Sequence, residues 1–201
     1  MSIVRVSAVV LSSVVIGISS AAAQSPFFVD PYMPITAAQR ATWVVNGSIG
    51  VRSLTVGVIS DAWLTAWNTP EEWGRGWSGI GKRYLSREAS VTISNSIEAG
   101  LGAIWGEDPR YFRAPSGSLG SRVGYSAKAA VLSRRRDGRL APAWSRYTGT
   151  VVGNIVENAW LPPSARSPRD VAVRSTTGVL GRFAGNLFEE FWPDVKKLFR
   201  R

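Results

Sequence analysis

The breaks in this chain are few and far apart, and that spacing limits its fold more than any other feature. Turn signals stand at Asn68-Thr69-Pro70, Asp108-Pro109, Ala114-Pro115-Ser116-Gly117, Asp137-Gly138 and Leu161-Pro162-Pro163-Ser164. The stretches between them exceed the usual strand of about five or six residues and suit helices. Helices are expected near 36–67, 70–105, 118–133, 144–160 and 168–192, with a short piece, 193–200, restarting at Pro193. Thr36, Thr69 and Ser167 are candidate N-caps, and Pro70 and Pro168 stand where a first helical residue needs no N–H.

The first of these segments shows why helix is preferred to strand. Val45, Ile49, Arg52, Val56, Ile59 and Trp63 recur at alternating steps of four and three, which aligns them on one helical face. Beside them runs a stripe of small residues, Asn46, Gly50, Ser53, Gly57 and Ser60. A face without bulk lets another helix approach closely, and the habit recurs at Gly149 and Gly153 and at Gly178, Gly181 and Gly185. Each helical Gly costs up to about 1 kcal/mol relative to Ala, so packing must offset them. The expected fold is all-α: a single-domain bundle of about five helices over residues 36–201, with Gly/Ser-rich packing faces. A short β-hairpin around Asp137-Gly138, within 131–148, is the one local β alternative.

Residues 1–23 read as a secretory signal peptide. A basic start (Met1 to Arg5) leads into an apolar run from Val6 to Ser20, and Ala21-Ala22-Ala23 supplies the small residues for cleavage before Gln24. The run is shorter than the roughly 20 residues of a retained anchor. An extended, Pro-punctuated segment, 24–35, follows. Removing the peptide takes away one Arg and no acid, so the excess of 24 Lys+Arg over 14 Asp+Glu belongs almost wholly to the working protein. In an exported protein, in the periplasm or against the outer membrane or cell envelope, that charge is expected to meet anionic lipid or envelope polymers rather than nucleic acid.

The chain has no His and no Cys. This excludes a Ser-His-Asp triad, a Cys nucleophile, disulfides and the usual zinc or haem ligands. Ser126 and Lys128 diverge on a helix and lack S-x-x-K spacing. Gly74-Arg75-Gly76 with Gly79 imitates a dinucleotide fingerprint, but no strand precedes it. No cofactor or metal is assigned. Enzymatic activity is left open, with the weight against it.

One isolated charge sits near the middle of each of four weakly charged segments: Arg52, Glu98, Glu157 and Arg182. In one bundle these would be forced to pair, because an unpaired buried ion is costly. They are the candidate internal polar cluster; the competing reading leaves them in solvent. Glu107-Asp108-Pro109-Arg110-Tyr111-Phe112 is a second candidate. Its adjacent carboxylates could seat a cation, but no further oxygen ligands accompany them, and a helix-ending turn with Arg110 paired to an acid and Tyr111 and Phe112 in the core is favoured. Two basic clusters, Arg134, Arg135, Arg136 and Arg139 and then Lys196, Lys197, Arg200 and Arg201, are candidate contacts to an anionic surface, or simply solvated tips. Trp63, Trp67, Trp73, Trp77, Trp105, Trp160 and Trp192 lie near expected helix ends, as an interfacial belt or as ordinary amphipathic ends.

The ordered elements Glu107-Asp108-Pro109-Arg110-Tyr111-Phe112, Asn158-Ala159-Trp160-Leu161-Pro162-Pro163 and Phe191-Trp192-Pro193-Asp194-Val195, after a signal peptide, resemble an uncharacterised family of exported proteins of Gram-negative soil bacteria. The resemblance implies export and a mainly helical fold, and transfers no catalytic residue. The leading expectation is a non-enzymatic envelope protein associated with a membrane surface or lipid. The alternative is a periplasmic hydrolase or binding protein using the internal carboxylates. Full insertion into a membrane is third, because each low-charge segment carries a central ion.

Overall fold

The computed structural model describes residues 32–198. The signal peptide, most of the segment 24–35, and Arg200 and Arg201 lie outside the described residues. Helices α1 (Ala37–Ile49), α2 (Val51–Ala66) and α3 (Trp77–Trp105) are followed by strand β1 (Glu107–Asp108). Helix α4 (Leu119–Val131), strands β2 (Leu132–Arg135) and β3 (Leu140–Pro142), and helices α5 (Trp144–Glu157) and α6 (Pro168–Leu198) complete the order. The fold is a helical bundle. Helix α3 is its hub, packed against α1, α2 and most extensively α5, while α6 packs on α5 and α4.

Several boundaries follow the expected chemistry. Thr36 and Gln39 form a reciprocal capping box at the start of α1. Ser167 accepts from the Asp170 N–H ahead of Pro168 at the start of α6. Gly106 takes the left-handed conformation that ends α3. The hairpin is present, with Ser133 opposite Ala141 and Gly138 at φ 80 in its turn, but it is shorter than 131–148 because α5 begins at Trp144. A third strand joins it: Glu107 pairs with Arg135 and Asp108 with Arg134.

Three expectations are corrected. The segment 36–67 is two helices, broken at Gly50, whose extended backbone would drive a Cβ into the Asn46 carbonyl. The segment 70–105 becomes helical only at Trp77: Pro70 opens a single 3-10 turn, Glu71–Trp73, and the buried Arg83 guanidinium folds the loop by donating to the carbonyls of Thr69, Gly74 and Pro70 at 2.7, 2.7 and 2.8 Å. Finally, Pro193 does not restart a helix; α6 runs through it. The missing Pro N–H orphans the Glu189 carbonyl, and Arg113 Nε donates to it instead at 2.8 Å.

Polarity is distributed the opposite way from an ordinary core. Among the described residues the buried aliphatic side chains are Ala99, Ala130, Ala143 and Leu161, whereas Asp61, Arg83, Glu98, Glu107, Asp108, Arg146, Glu157 and Glu190 are buried together with several Ser and two Asn. The apolar stripe of the first segment faces outward: Val45, Ile49, Val56, Ile59 and Trp63 are exposed, while Gly57 is buried and Ser53 and Ser60 turn partly inward. The small residues are what the bundle packs upon. A Cβ on Gly149 would lie 2.7 Å from the Ser94 carbonyl oxygen and 3.0 Å from the Glu98 nitrogen, so α5 and α3 touch backbone to backbone. Gly181, in contrast, has nothing within 4 Å of such a Cβ.

This contact predicts opposite outcomes for two Gly→Ala changes. Gly149→Ala should destabilise the chain by about 1–3 kcal/mol through overpacking. Gly81→Ala, where a Cβ meets nothing within 4 Å, should stabilise it by up to about 1 kcal/mol through helix propensity. Urea unfolding followed by circular dichroism compares them; equal effects would remove the close-packed seam.

Candidate functional site

The polar interior is organised around Glu98, whose two carboxylate oxygens are both engaged. Oε1 accepts from Arg146 Nε at 3.0 Å and Oε2 from Arg182 Nη2 at 2.6 Å. Arg146 is itself buried and donates from Nη1 to the carbonyls of Ala129, Ala130 and Leu132, where α4 passes into β2. Arg182 also lies over the Trp43 ring, 5.5 Å from its centroid. One carboxylate therefore ties α3 to α5 and α6, and its partners reach α4 and α1.

The four expected cluster members do not meet at one point. Glu98 and Arg182 pair; Glu157 and Arg52 do not join them. Glu157 accepts from Ser86 and Ser90 at 3.1 and 3.3 Å and pairs with Arg174 at 3.1 Å. Ser86 and Ser90 lie two to three turns before Glu98 on α3, about 12–18 Å along the axis, which is too far for a shared contact. Arg52 pairs with Glu189, donates to the Gly185 carbonyl and lies over the Phe188 ring at 5.0 Å. Sequence reasoning missed Arg146, which lies beside Ser145 near an expected helix start and looks there like an ordinary flanking charge.

Both acids of the helix-ending turn are buried and paired with an Arg. Asp108 accepts from the Arg110 side chain and N–H and from the Tyr32 hydroxyl at 3.0 Å. Burial, with the neighbouring Asp108 charge, pushes the Tyr32 phenol up to about 12. Glu107 accepts from Ser145 N and Oγ at 2.9 and 2.6 Å and faces Arg135 at 3.2 Å. Adjacent carboxylates thus turn to different partners, and no group of three metal-ligating residues occurs among the described residues. Arg110 pairs as expected, but Tyr111 and Phe112 are only half-buried.

Tyr111 instead ties the first sequence motif to the residue that precedes the third. Its hydroxyl donates to Glu190 Oε2 at 2.8 Å, and the same carboxylate accepts from Ala114 N and from Arg122 Nε at 3.0 and 2.7 Å. Arg122 also binds Asp194 at 2.7 Å. Burial alone would raise the Glu190 carboxyl, but the hydrogen bonds from Arg122, Tyr111 and Ala114 outweigh it and hold it below the usual 4.5. In the remaining motif Asn158 Oδ1 accepts from Arg174 at 2.6 Å and Trp160 Nε1 donates to Ser86 at 2.8 Å.

The first basic cluster is largely engaged by the protein itself. Arg134 lies over the Tyr32 and Phe112 rings and donates to the Gly138 carbonyl. Arg135 donates to the Trp105 carbonyl and Arg136 to that of Ala103, while Arg40 takes those of Ala99, Gly102 and Glu107. Three guanidiniums thereby complement the negative end of the α3 dipole. Arg139 is exposed beside Asp137, and Lys196 and Lys197 are exposed at the end of α6. Two clefts flank this end of the bundle, one of about 190 Å³ lined by Tyr32, Arg40 and Arg136 and another lined by Trp105, Arg135 and Asp137; neither is lined by Glu98 or Glu157.

Compared with known protein families, with curated proteins and with solved structures, the chain matches none.

Two outcomes follow from these pairings. Glu98→Gln leaves two buried or half-buried guanidiniums without their counter-charge and should cost about 3–5 kcal/mol, whereas Arg139→Ala at the exposed tip should change stability by less than about 0.5 kcal/mol; chemical denaturation measures both. Glu190 has a folded pKa below its unfolded one, so its stabilisation is present above the unfolded value near 4.5 and is lost as pH falls through the folded value. Glu190→Gln should lower the melting temperature at neutral pH by about 5 °C or more and flatten its decline below that pH.

Proposed function

We propose that the chain is an exported, non-enzymatic protein of the cell envelope that associates with lipid. The observation that carries this reading is the reversed polarity: paired ions and small polar residues inside, large apolar side chains outside. An exposed apolar surface of this extent marks contact with a membrane or another macromolecule. The surplus of cations favours an anionic membrane as the partner. The alternative, a hydrolase or binding protein built on internal carboxylates, draws no support from Glu98 or Glu157, since Arg and Ser donors already occupy both. The three ordered motifs supply contacts that hold the ends of the bundle together, in keeping with a shared exported fold rather than a shared reaction.

The full chain should float with phosphatidylglycerol-containing vesicles in a density gradient at low ionic strength. Lys196→Ala combined with Lys197→Ala should weaken that binding about tenfold or more, at about 1 kcal/mol per cation near the surface. A chain that stays at the bottom of the gradient with every vesicle composition does not have this function.

A further inference from the structure

A part of the exposed apolar surface, on α2, α5 and α6, forms a belt between two levels of tryptophan. At one level Trp160 donates to Ser86, and the tilted pair Trp63 and Trp67 (centroids 5.9 Å apart) neighbours Thr65 and Thr69, both bonded to Arg83. At the other, Trp105 ends α3, and Trp144 precedes Ser145, which is bonded to Glu107. From Ser86 to Trp105 the axis of α3 rises about 28 Å, against about 30 Å for the hydrocarbon layer of a bilayer. Tryptophan at both limits is what membrane–water interfaces select.

Between these levels the outward faces are apolar on separate helices: Val56 and Ile59 on α2, Val151 and Ile155 on α5, and Leu180 on α6 are all exposed. Throughout 41–69, 144–165 and 171–192 every charged residue is buried or held in an ion pair. The central ions Glu157 and Arg182, which by themselves oppose insertion, are therefore turned inward and neutralised, as intramembrane charges are, while Arg52 stays partly exposed and is neutralised by Glu189. No described helix is long and apolar enough to cross a membrane. The belt belongs to the assembled bundle: each helix averages a polar inner face with an apolar outer one, so single-helix hydropathy hides it. A second copy of the chain would cover one side, whereas the belt occurs on α2, α5 and α6 alike.

We propose that this belt contacts the acyl chains of a lipid bilayer, with the tryptophan levels at its two interfaces and the arginine-rich end of α3 among the headgroups. The inference deepens the lipid-associated reading and rests on it. The Cys-free sequence permits a direct test. Ile59→Cys, Ile155→Cys and Leu180→Cys, with Ser116→Cys in the exposed loop before α4 as reference, are labelled with an environment-sensitive dye in the full chain. Each is mixed with phosphatidylethanolamine–phosphatidylglycerol vesicles whose acyl chains are brominated near the bilayer centre. The expected result is a blue shift and loss of intensity at all three belt sites but not at Ser116→Cys, persisting at about 1 M salt, where surface electrostatics are screened beyond about 3 Å. Vesicle binding that salt abolishes, with unquenched belt labels, overturns the belt and leaves the lipid-associated reading standing. Absence of any vesicle binding overturns both. A blue shift that grows with protein concentration in vesicle-free buffer, accompanied by a doubled mass in light scattering, assigns the belt to a second copy and overturns the proposal.

Discussion

The Glu98 carboxylate is the contact on which the bundle depends. A buried carboxylate is tolerated only when its lone pairs are filled, and here two guanidiniums from different helices fill them. Arg146 can reach Glu98 because Gly149 brings α5 against the backbone of α3; a larger residue would push its guanidinium away from the carboxylate. The close seam and the ion network therefore require one another. Arg146 spends its other donors on carbonyls at the end of α4, so the same residue also fixes where the hairpin leaves that helix.

Such a core has an energetic consequence. Burial of large apolar side chains is the dominant favourable term in ordinary folding, yet among the described residues the buried aliphatic side chains are three Ala and one Leu. Paired internal ions specify geometry while contributing little net stability, since desolvation offsets their attraction. Glycine at the seam allows dispersion contacts between backbones but removes side-chain area. Much of the apolar stabilisation available to this sequence thus remains on its outer surface, realised only when something apolar covers Val56, Ile155 and their neighbours. Structure and setting are coupled more tightly than in a chain with a conventional core.

The helical class and most helix ends were legible because they rest on local chemistry: Thr36, Ser167 and Pro168, Asp108-Pro109 and Asp137-Gly138 each act within a few residues. What was hidden depended on distant partners. Gly50 fitted the small stripe so well that the break it makes was invisible. Pro193 looked like a boundary because nothing local shows that Arg113 takes the orphaned Glu189 carbonyl. Arg83 sits among Lys82, Arg87 and Glu88 and resembles a solvated face, although it is buried. Periodicity aligns Val45, Ile49, Val56 and Ile59 on one face but cannot say which way that face turns. The isolation of Arg52, Glu98, Glu157 and Arg182 pointed to one cluster, of which only Glu98 and Arg182 meet, because spacing along four segments says nothing of height in a bundle.

Facing the stripe outward also changes the meaning of the net charge. The ions inside the belt, Arg52 with Glu189, Arg87 with Glu88, Glu98 and Glu157 with Arg146, Arg182 and Arg174, together with buried Asp61, hold equal numbers of each sign. The surplus of bases over acids therefore lies outside the belt, about half of it at the tip of the hairpin, the cap over α3 and the last turn of α6. There Arg40, Arg135 and Arg136 satisfy helix carbonyls, leaving the net positive charge of the region without carboxylates enough to match it. A neutral middle and basic ends are what a surface needs if its middle meets hydrocarbon and its ends meet phosphate, and neither polarity pattern nor charge pattern alone would point there.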